Sequence, residues 1–133
     1  MTPAAFDTRR RMLGLSVEET AEWCSANRVT VQRWIKGQSR IDPKAIARLA
    51  ALENGMIDAV DRAVAMATGH TGPVPLIRYR NQAGVDAAPH ATGLPLGAHA
   101  MLIGWVADAL EDDGHDVEMV WGEALDLTPG YGI

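Results

Sequence analysis

The sequence predicts a mainly α-helical chain that ends in a small α+β part, on three observations. Residues 1–67 carry four runs with helix-start residues and apolar side chains at helical spacing. A break rich in glycine and proline follows, Thr68-Gly69-His70-Thr71-Gly72-Pro73. Beyond it, two strand-like segments bracket one further helical run. The expected organisation is a helical N-terminal domain with a long connecting helix over 1–67, a strand–helix–strand domain over 68–122, and a flexible tail over 123–133.

Thr2-Pro3 is a good helix start, because proline at the first helical position needs no amide partner. Phe6 and Met12/Leu13 give this helix its inward side, and Gly14 ends it. Ser16 and Glu19 form a capping box that starts a second helix, in which Ala21 and Trp23/Cys24 continue a buried stripe. Ser25-Ala26-Asn27 interrupts it, and Asn27 caps a third helix beginning at Arg28. Val31, Trp34 and Ile35 face inward there, Arg28, Gln32 and Arg33 are left outside, and Gly37 supplies the left-handed residue that closes it. A helix, a tight turn and a cationic helix together form the arrangement that seats a recognition helix in the major groove of DNA.

Gln38-Ser39-Arg40-Ile41 reads as a loop, after which Asp42 caps a helix with Pro43 at its first position. That helix runs to about Met66, with Ile46, Leu49/Ala50, Met56/Ile57, Val60 and Val64 near one face. Unbroken, it spans roughly 25 residues and about 40 Å; Gly55, after Asn54, offers a break. Whole or kinked, its second half needs another surface to bury against. Leu76–Arg80 reads as a strand, and Asn81 to Thr92 holds at most one helical turn before Pro89. Residues 96–112 read as a helix with Leu96, His99/Ala100, Ile103, Val106/Ala107 and Leu110 inward, and with Gly104 beside Trp105 as a point of close packing. Asp116–Trp121 alternates with period two, a half-buried strand with Val117, Met119 and Trp121 on one face. Two strands make a marginal sheet, which is a physical reason to expect a second copy of the chain to complete it.

Apolar residues at 47% and charged residues at 22% are enough to build a core and exclude global disorder. No apolar run approaches the roughly 18 residues of a membrane span, and no signal-peptide pattern opens the chain, so a cytoplasmic location and no membrane partner are expected. The single Cys24 excludes an internal disulfide and fits a small core residue in a reducing compartment. The net charge of −5 is unevenly spread: residues 1–50 carry nine Lys/Arg against five acids, and the remainder three against twelve, so +4 stands against −9. Such asymmetry suits a chain of which one end meets phosphates. Arg9, Arg10 and Arg11 fan over more than half the first helix, so that at least one reaches a phosphate or all form a solvated basic surface.

No catalytic constellation emerges, and an enzyme is not expected. His70, His90, His99 and His115 are scattered without metal-ligand spacing, and Asp112–Glu118 lacks the acidic spacing of a calcium loop. Thr92–Gly97 does not match a phosphate loop, so no cofactor is implied. The four tryptophans fit core positions, Trp23 and Trp34 in the N-terminal part, Trp105 and Trp121 in the C-terminal part.

Leu15 to Gly37 resembles, without a gap, the Cro/C1-type (XRE-like) helix-turn-helix: Leu15, the Ser16–Glu19 box, Ala21, Val31, Trp34 and Gly37 carry the likeness. The resemblance implies that Arg28, Val29, Gln32 and Arg33 read base edges, and that Asn27, Lys36, Gln38 and Arg40 contact phosphates; Arg10, from the arginine fan of the first helix, is a further phosphate candidate. Three positions depart from that pattern. Val17 stands where the family has a polar residue, Ile35 where an acid commonly pairs with an arginine such as Arg10, and Ser25 where the turn has glycine.

Beyond this segment, the order of elements resembles the YdiL-like regulators, including anti-CRISPR-associated autorepressors, through the strand Leu76–Arg80, Ile103-Gly104-Trp105 and Gly114-His115. That likeness implies a homodimeric repressor of an inverted-repeat operator, autoregulating a phage or mobile-element operon, with RNA as a further partner in some relatives. Ile103, Trp105, Tyr79, Met119 and Trp121 are the candidate dimer-interface residues. Two other readings compete: an antitoxin-like module whose acidic half meets a protein partner, and a monomer on an asymmetric site, which Arg78 and Arg80 on one strand would serve.

Overall fold

The computed structural model describes residues 1–91 and 93–122; the tail expected over 123–133 lies outside the described residues. The order is α1 (Pro3–Met12), α2 (Val17–Trp23), α3 (Arg28–Lys36), α4 (Pro43–Ala67), β1 (Val74–Arg78), α5 (Gln82–Ala87), α6 (Leu96–Asp112) and β2 (Val117–Trp121). Among the described residues the chain is mainly helical with a small α+β part, as its patterning predicts, and its two strands pair in parallel. Internal contacts divide it into Met1–Gly55 and Met56–Ile133. The division falls inside α4 rather than at the glycine-rich break after it.

The first unit is built from local caps that act as the sequence expects. Thr2 Oγ1 accepts from Ala5 N–H at 3.1 Å ahead of Pro3. The Ser16–Glu19 box closes in both directions, at 3.0 and 3.1 Å. Asn27 Oδ1 accepts from Thr30 N–H at 2.8 Å. Asp42 Oδ1 accepts from Lys44 N–H at 2.9 Å at the start of α4. Each satisfies an amide that the helix leaves without an internal partner. The elements then meet over a core of Phe6, Leu13, Leu15, Ala21, Val31, Trp34, Ile41, Ala45 and Leu49, all buried. Phe6 meets Trp34 edge to face, centroids 5.6 Å apart and planes at 84°, the arrangement aromatic quadrupoles favour. Met12 is exposed, so Leu13 alone of that pair faces inward.

α4 runs unbroken through Gly55, where an added Cβ would meet nothing within 4 Å. A glycine in a helix interior costs propensity but does not by itself kink the ladder. Ile46, Val60 and Val64 are half-buried and Ile57 is exposed; the buried row along this helix is Ala45, Leu49, Leu52, Met56, Ala63 and Ala67.

In the second unit β1 and β2 pair in parallel, Val74 opposite Val117 through to Arg78 opposite Trp121, and α6 packs on the pair. α6 occupies the predicted span and buries His99, Ile103, Val106, Ala107 and Leu110 together with Ala98 and Leu102. Its N-cap, Pro95, has no capping side chain. Gln82, on α5, serves instead: its Oε1 accepts from Leu96 N–H and its Nε2 donates to Leu94 O, both at 2.9 Å. Tyr79 lies at 5.5 Å from the His99 ring. A smaller apolar cluster of Val85, Ala88 and Ala91 gathers Tyr79, Leu94 and Leu96 against it.

Three expectations are corrected here. Trp121 is 36% exposed rather than buried, and Met119 is 44% exposed, so β2 does not turn Met119 and Trp121 into this chain's core. The indole instead carries the guanidinium groups of Arg78 and Arg80, at 5.0 and 4.1 Å from its centroid. Gly104 is not a close approach, because a Cβ there would meet nothing within 4 Å. Ile103 is fully buried on the inner side of α6, so it cannot be an interface residue without unpacking its own subunit.

The glycines at which space is short are Gly84 and Gly122, where a Cβ would fall 2.9 Å and 2.6 Å from the Tyr79 ring. Gly122→Ala is expected to cost about 1–3 kcal/mol through overpacking. Gly55→Ala, in an open helical site, is expected to gain about 0.5–1 kcal/mol. Urea denaturation of the two variants beside the parent chain measures both signs.

Candidate functional site

The candidate site is the outer side of α3 with the segments on either side of it. α2 ends in a turn of Schellman type, with Ser25 N–H bonded to Glu22 O at 3.2 Å and Ala26 N–H to Ala21 O at 2.8 Å. This turn requires a left-handed residue, and Ser25 adopts φ 53°, the sole positive-φ residue other than glycine among those described. The conformation is held from α4. Arg48 Nη1 donates to Ser25 Oγ at 2.5 Å and to Trp23 O at 3.2 Å, while Trp23 Nε1 donates back to Arg48 O at 2.9 Å. α3 closes on Gly37 at φ 73°, which satisfies its last carbonyls.

Along α3, Val31 and Trp34 are buried and Ile35 half-buried, while Arg28, Val29 and Arg33 stand out on the surface. Val29 is 53% exposed, an apolar side chain left in water on a short helix. Gln32 is half-buried between the two faces. Asn27 is exposed, and its carbonyl oxygen is taken by the cap. Lys36, Gln38 and Arg40 are all exposed.

The cations of this unit fall into two groups. Arg9 pairs with Glu53 at 3.2 Å, Arg11 with Asp7 at 3.0 Å, and Arg28 with Glu18 at 3.2 Å. Arg48 is committed to the turn. Arg33, Lys36, Arg40 and Lys44 make no ion pair or side-chain hydrogen bond among the described residues, so a string of uncompensated charge runs from α3 through the following loop to the start of α4. Lys44 belongs to this string but carries no motif signal. Only its place in the first turn of α4 brings it there.

Arg10 is the correction in this set. Its side chain is buried, with Asp7 Oδ1 at 2.7 Å from Nη2 and Leu15 O accepting from Nη1 at 2.9 Å. Arg10 takes Asp7 on its own helix and a backbone carbonyl. It ties α1 to the start of the next segment, and its guanidinium is occupied by Asp7 and the Leu15 carbonyl rather than open to solvent.

Of the candidate interface residues, Tyr79 and Trp105 are half-buried, and Met119 and Trp121 are exposed. Burial raises the Tyr79 phenol above its ordinary value. Cys24 is buried against Ala45 O, and burial pushes its thiol from 9.0 up to about 11, with Arg48 pulling the other way more weakly. A thiol held neutral in this way is a packing residue, not a nucleophile. No protein-family model matches the chain, and no curated protein matches it.

Two outcomes follow. Arg10→Ala is expected to cost about 1–3 kcal/mol, because it leaves the buried Leu15 carbonyl without its donor while Asp7 keeps Arg11, whereas Arg33→Ala stays within about 0.5 kcal/mol of the parent. Thermal unfolding of both variants distinguishes them. Cys24 keeps its proton in the folded chain between 9.0 and about 11, where an unfolded thiol has lost it. Its contribution to stability is therefore whole below pH 9 and declines as pH rises toward 11. The fall in urea midpoint over that range is expected to be shallower in Cys24→Ala.

Proposed function

We propose that the chain is a sequence-specific double-stranded DNA-binding protein, a transcriptional repressor that acts as a homodimer on an inverted-repeat operator. The observation that carries this reading is the exposed outer face of α3. A capped, short helix after a tight turn presents Val29 and Arg33 beside Arg28, and is continued by Lys36, Arg40 and Lys44 without acidic partners. Exposed, uncompensated cations supply the sequence-independent attraction to phosphate, and arginines on a helix narrow enough for the major groove supply base contacts. The helix-turn-helix likeness of Leu15–Gly37 points the same way. Repression would follow from occupying a promoter, and autoregulation of a mobile-element operon is the physiological setting the likeness suggests.

Dimerisation is supported by a different observation. The second strand of the two-stranded sheet leaves Met119 44% and Trp121 36% exposed, the indole beneath Arg78 and Arg80, with Trp105 half-buried on α6. A second copy would cover these apolar groups. Two-fold symmetry would set the recognition helices about 34 Å apart, one turn of DNA.

Sedimentation velocity of the full chain, alone and with a duplex selected from a random pool, tests both parts. A dimer that binds one duplex is expected; a monomer with no selected sequence would end the reading. With that duplex in hand, Arg33→Ala is expected to cost about 1–3 kcal/mol and to relax one base position. Lys36→Ala is expected to weaken specific and random duplexes alike and to lower the salt slope by about 1 per site. Fluorescence anisotropy across a salt series reads both.

A further inference from the structure

Glu18 is an acid on the face that the proposed function turns toward DNA. It sits in the first turn of α2, with its carboxylate 3.2 Å from the Arg28 guanidinium; the two side chains are 61% and 63% exposed. Neither helix needs it as a cap. The start of α2 is satisfied by Ser16 and Glu19, and that of α3 by Asn27. An ion pair this open contributes little to stability. It also neutralises a cation at the first position of α3, where a bare positive charge opposes the helix dipole. A carboxylate here repels every phosphate. Its remaining acceptor capacity suits one kind of group in the major groove, an exocyclic amine.

We propose that Glu18 and Arg28 act as one composite reader of a G·C base pair, and that Glu18 is therefore a specificity residue of the DNA-binding face. The inference rests on the DNA-binding reading above. Across the major-groove edge of a G·C pair stand, side by side, guanine N7 and O6, both acceptors, and cytosine N4, a donor. A guanidinium beside a carboxylate is the matching row of donor, donor and acceptor. The two groups already stand adjacent, 3.2 Å apart, in the free chain. Arg28 takes N7 and O6, and Glu18 accepts from N4. An A·T pair offers no such row, and neither does the sugar–phosphate backbone. The carboxylate thus penalises non-specific contact at the same point where it adds discrimination.

The test uses the full chain and a duplex selected from a random pool, measured by anisotropy against single-pair variants, a random duplex, and a duplex carrying N4-methylcytosine at the assigned position. A methyl on N4 of a paired cytosine takes the hydrogen that faces the major groove. For the parent chain, N4-methylation of one cytosine per half-site is expected to weaken binding roughly tenfold, as is replacement of that G·C pair. Glu18→Ala is expected to be indifferent to the methyl group and to bind the random duplex more tightly than the parent does. Arg28→Ala is expected to lose its guanine preference at the same pair. The proposal is overturned if Glu18→Ala tightens selected and random duplexes by one common factor, since the carboxylate then only repels phosphate. It is equally overturned if N4-methylation affects the parent and Glu18→Ala alike, or leaves the parent unchanged at every position. A parent chain that selects no sequence removes the DNA-binding reading itself, a result distinct from these. The methylated duplex is read with the unaltered protein, so the outcome does not depend on a variant folding.

Discussion

The presentation of α3 depends on one left-handed residue that is not glycine. Ser25 at φ 53° turns the chain out of α2, a conformation that costs an L-residue about 1–2 kcal/mol. Arg48 offsets this by bonding both the Ser25 hydroxyl and the Trp23 carbonyl, while the Trp23 indole returns a hydrogen bond to the backbone of α4. The turn is thus held by contacts between α2 and α4 and not by its local sequence alone. Phe6 against Trp34 then fixes α3 from its inner side. A helix held at its entry and on its buried face has little freedom left, which is the preorganisation that the proposed base-reading role requires.

Charge in this unit is sorted by the same geometry. A cluster of arginines on α1 suggests an anion-binding surface, yet Asp7 and Glu53 engage all three, and Arg10 is drawn inside. The uncompensated cations lie elsewhere, at Arg33, Lys36, Arg40 and Lys44. Paired charges contribute structure and weak local attraction; unpaired ones set the long-range field and the counterion release that favours a polyanion. On the proposed reading, DNA therefore meets the string from α3 to α4 and not the arginine-rich helix.

What the sequence made legible was local. Thr2-Pro3, Ser16 with Glu19, Asn27, Gly37 and Asp42-Pro43 each act within four residues, so their spacing alone determines what they do. The span of α6 was legible for the same reason, through its regular apolar recurrence. Contacts made across the chain were not. Gln82 reaches Leu96 fourteen residues on and replaces a cap that Pro95 cannot provide. The pairing of Glu18 with Arg28 crosses a turn, and the burial of Arg10 depends on Leu15 O being turned toward it. Trp121 looked like core because large aromatics usually are, but a strand at the margin of a two-stranded sheet has too little around it to bury an indole. Gly55 and Gly104 carried breaker and close-packing signals that no neighbour makes use of.

On the proposed reading, the solvent face of α3 and the segment following it contact duplex DNA. Amide chemical-shift mapping of the full chain against a selected duplex tests it most directly. Perturbations concentrated on residues 28–44, with Val31 and Trp34 moving less than Val29 and Arg33, are the predicted result. Shifts confined to β2 and α6, or a uniform weak response that a random duplex reproduces, would contradict it.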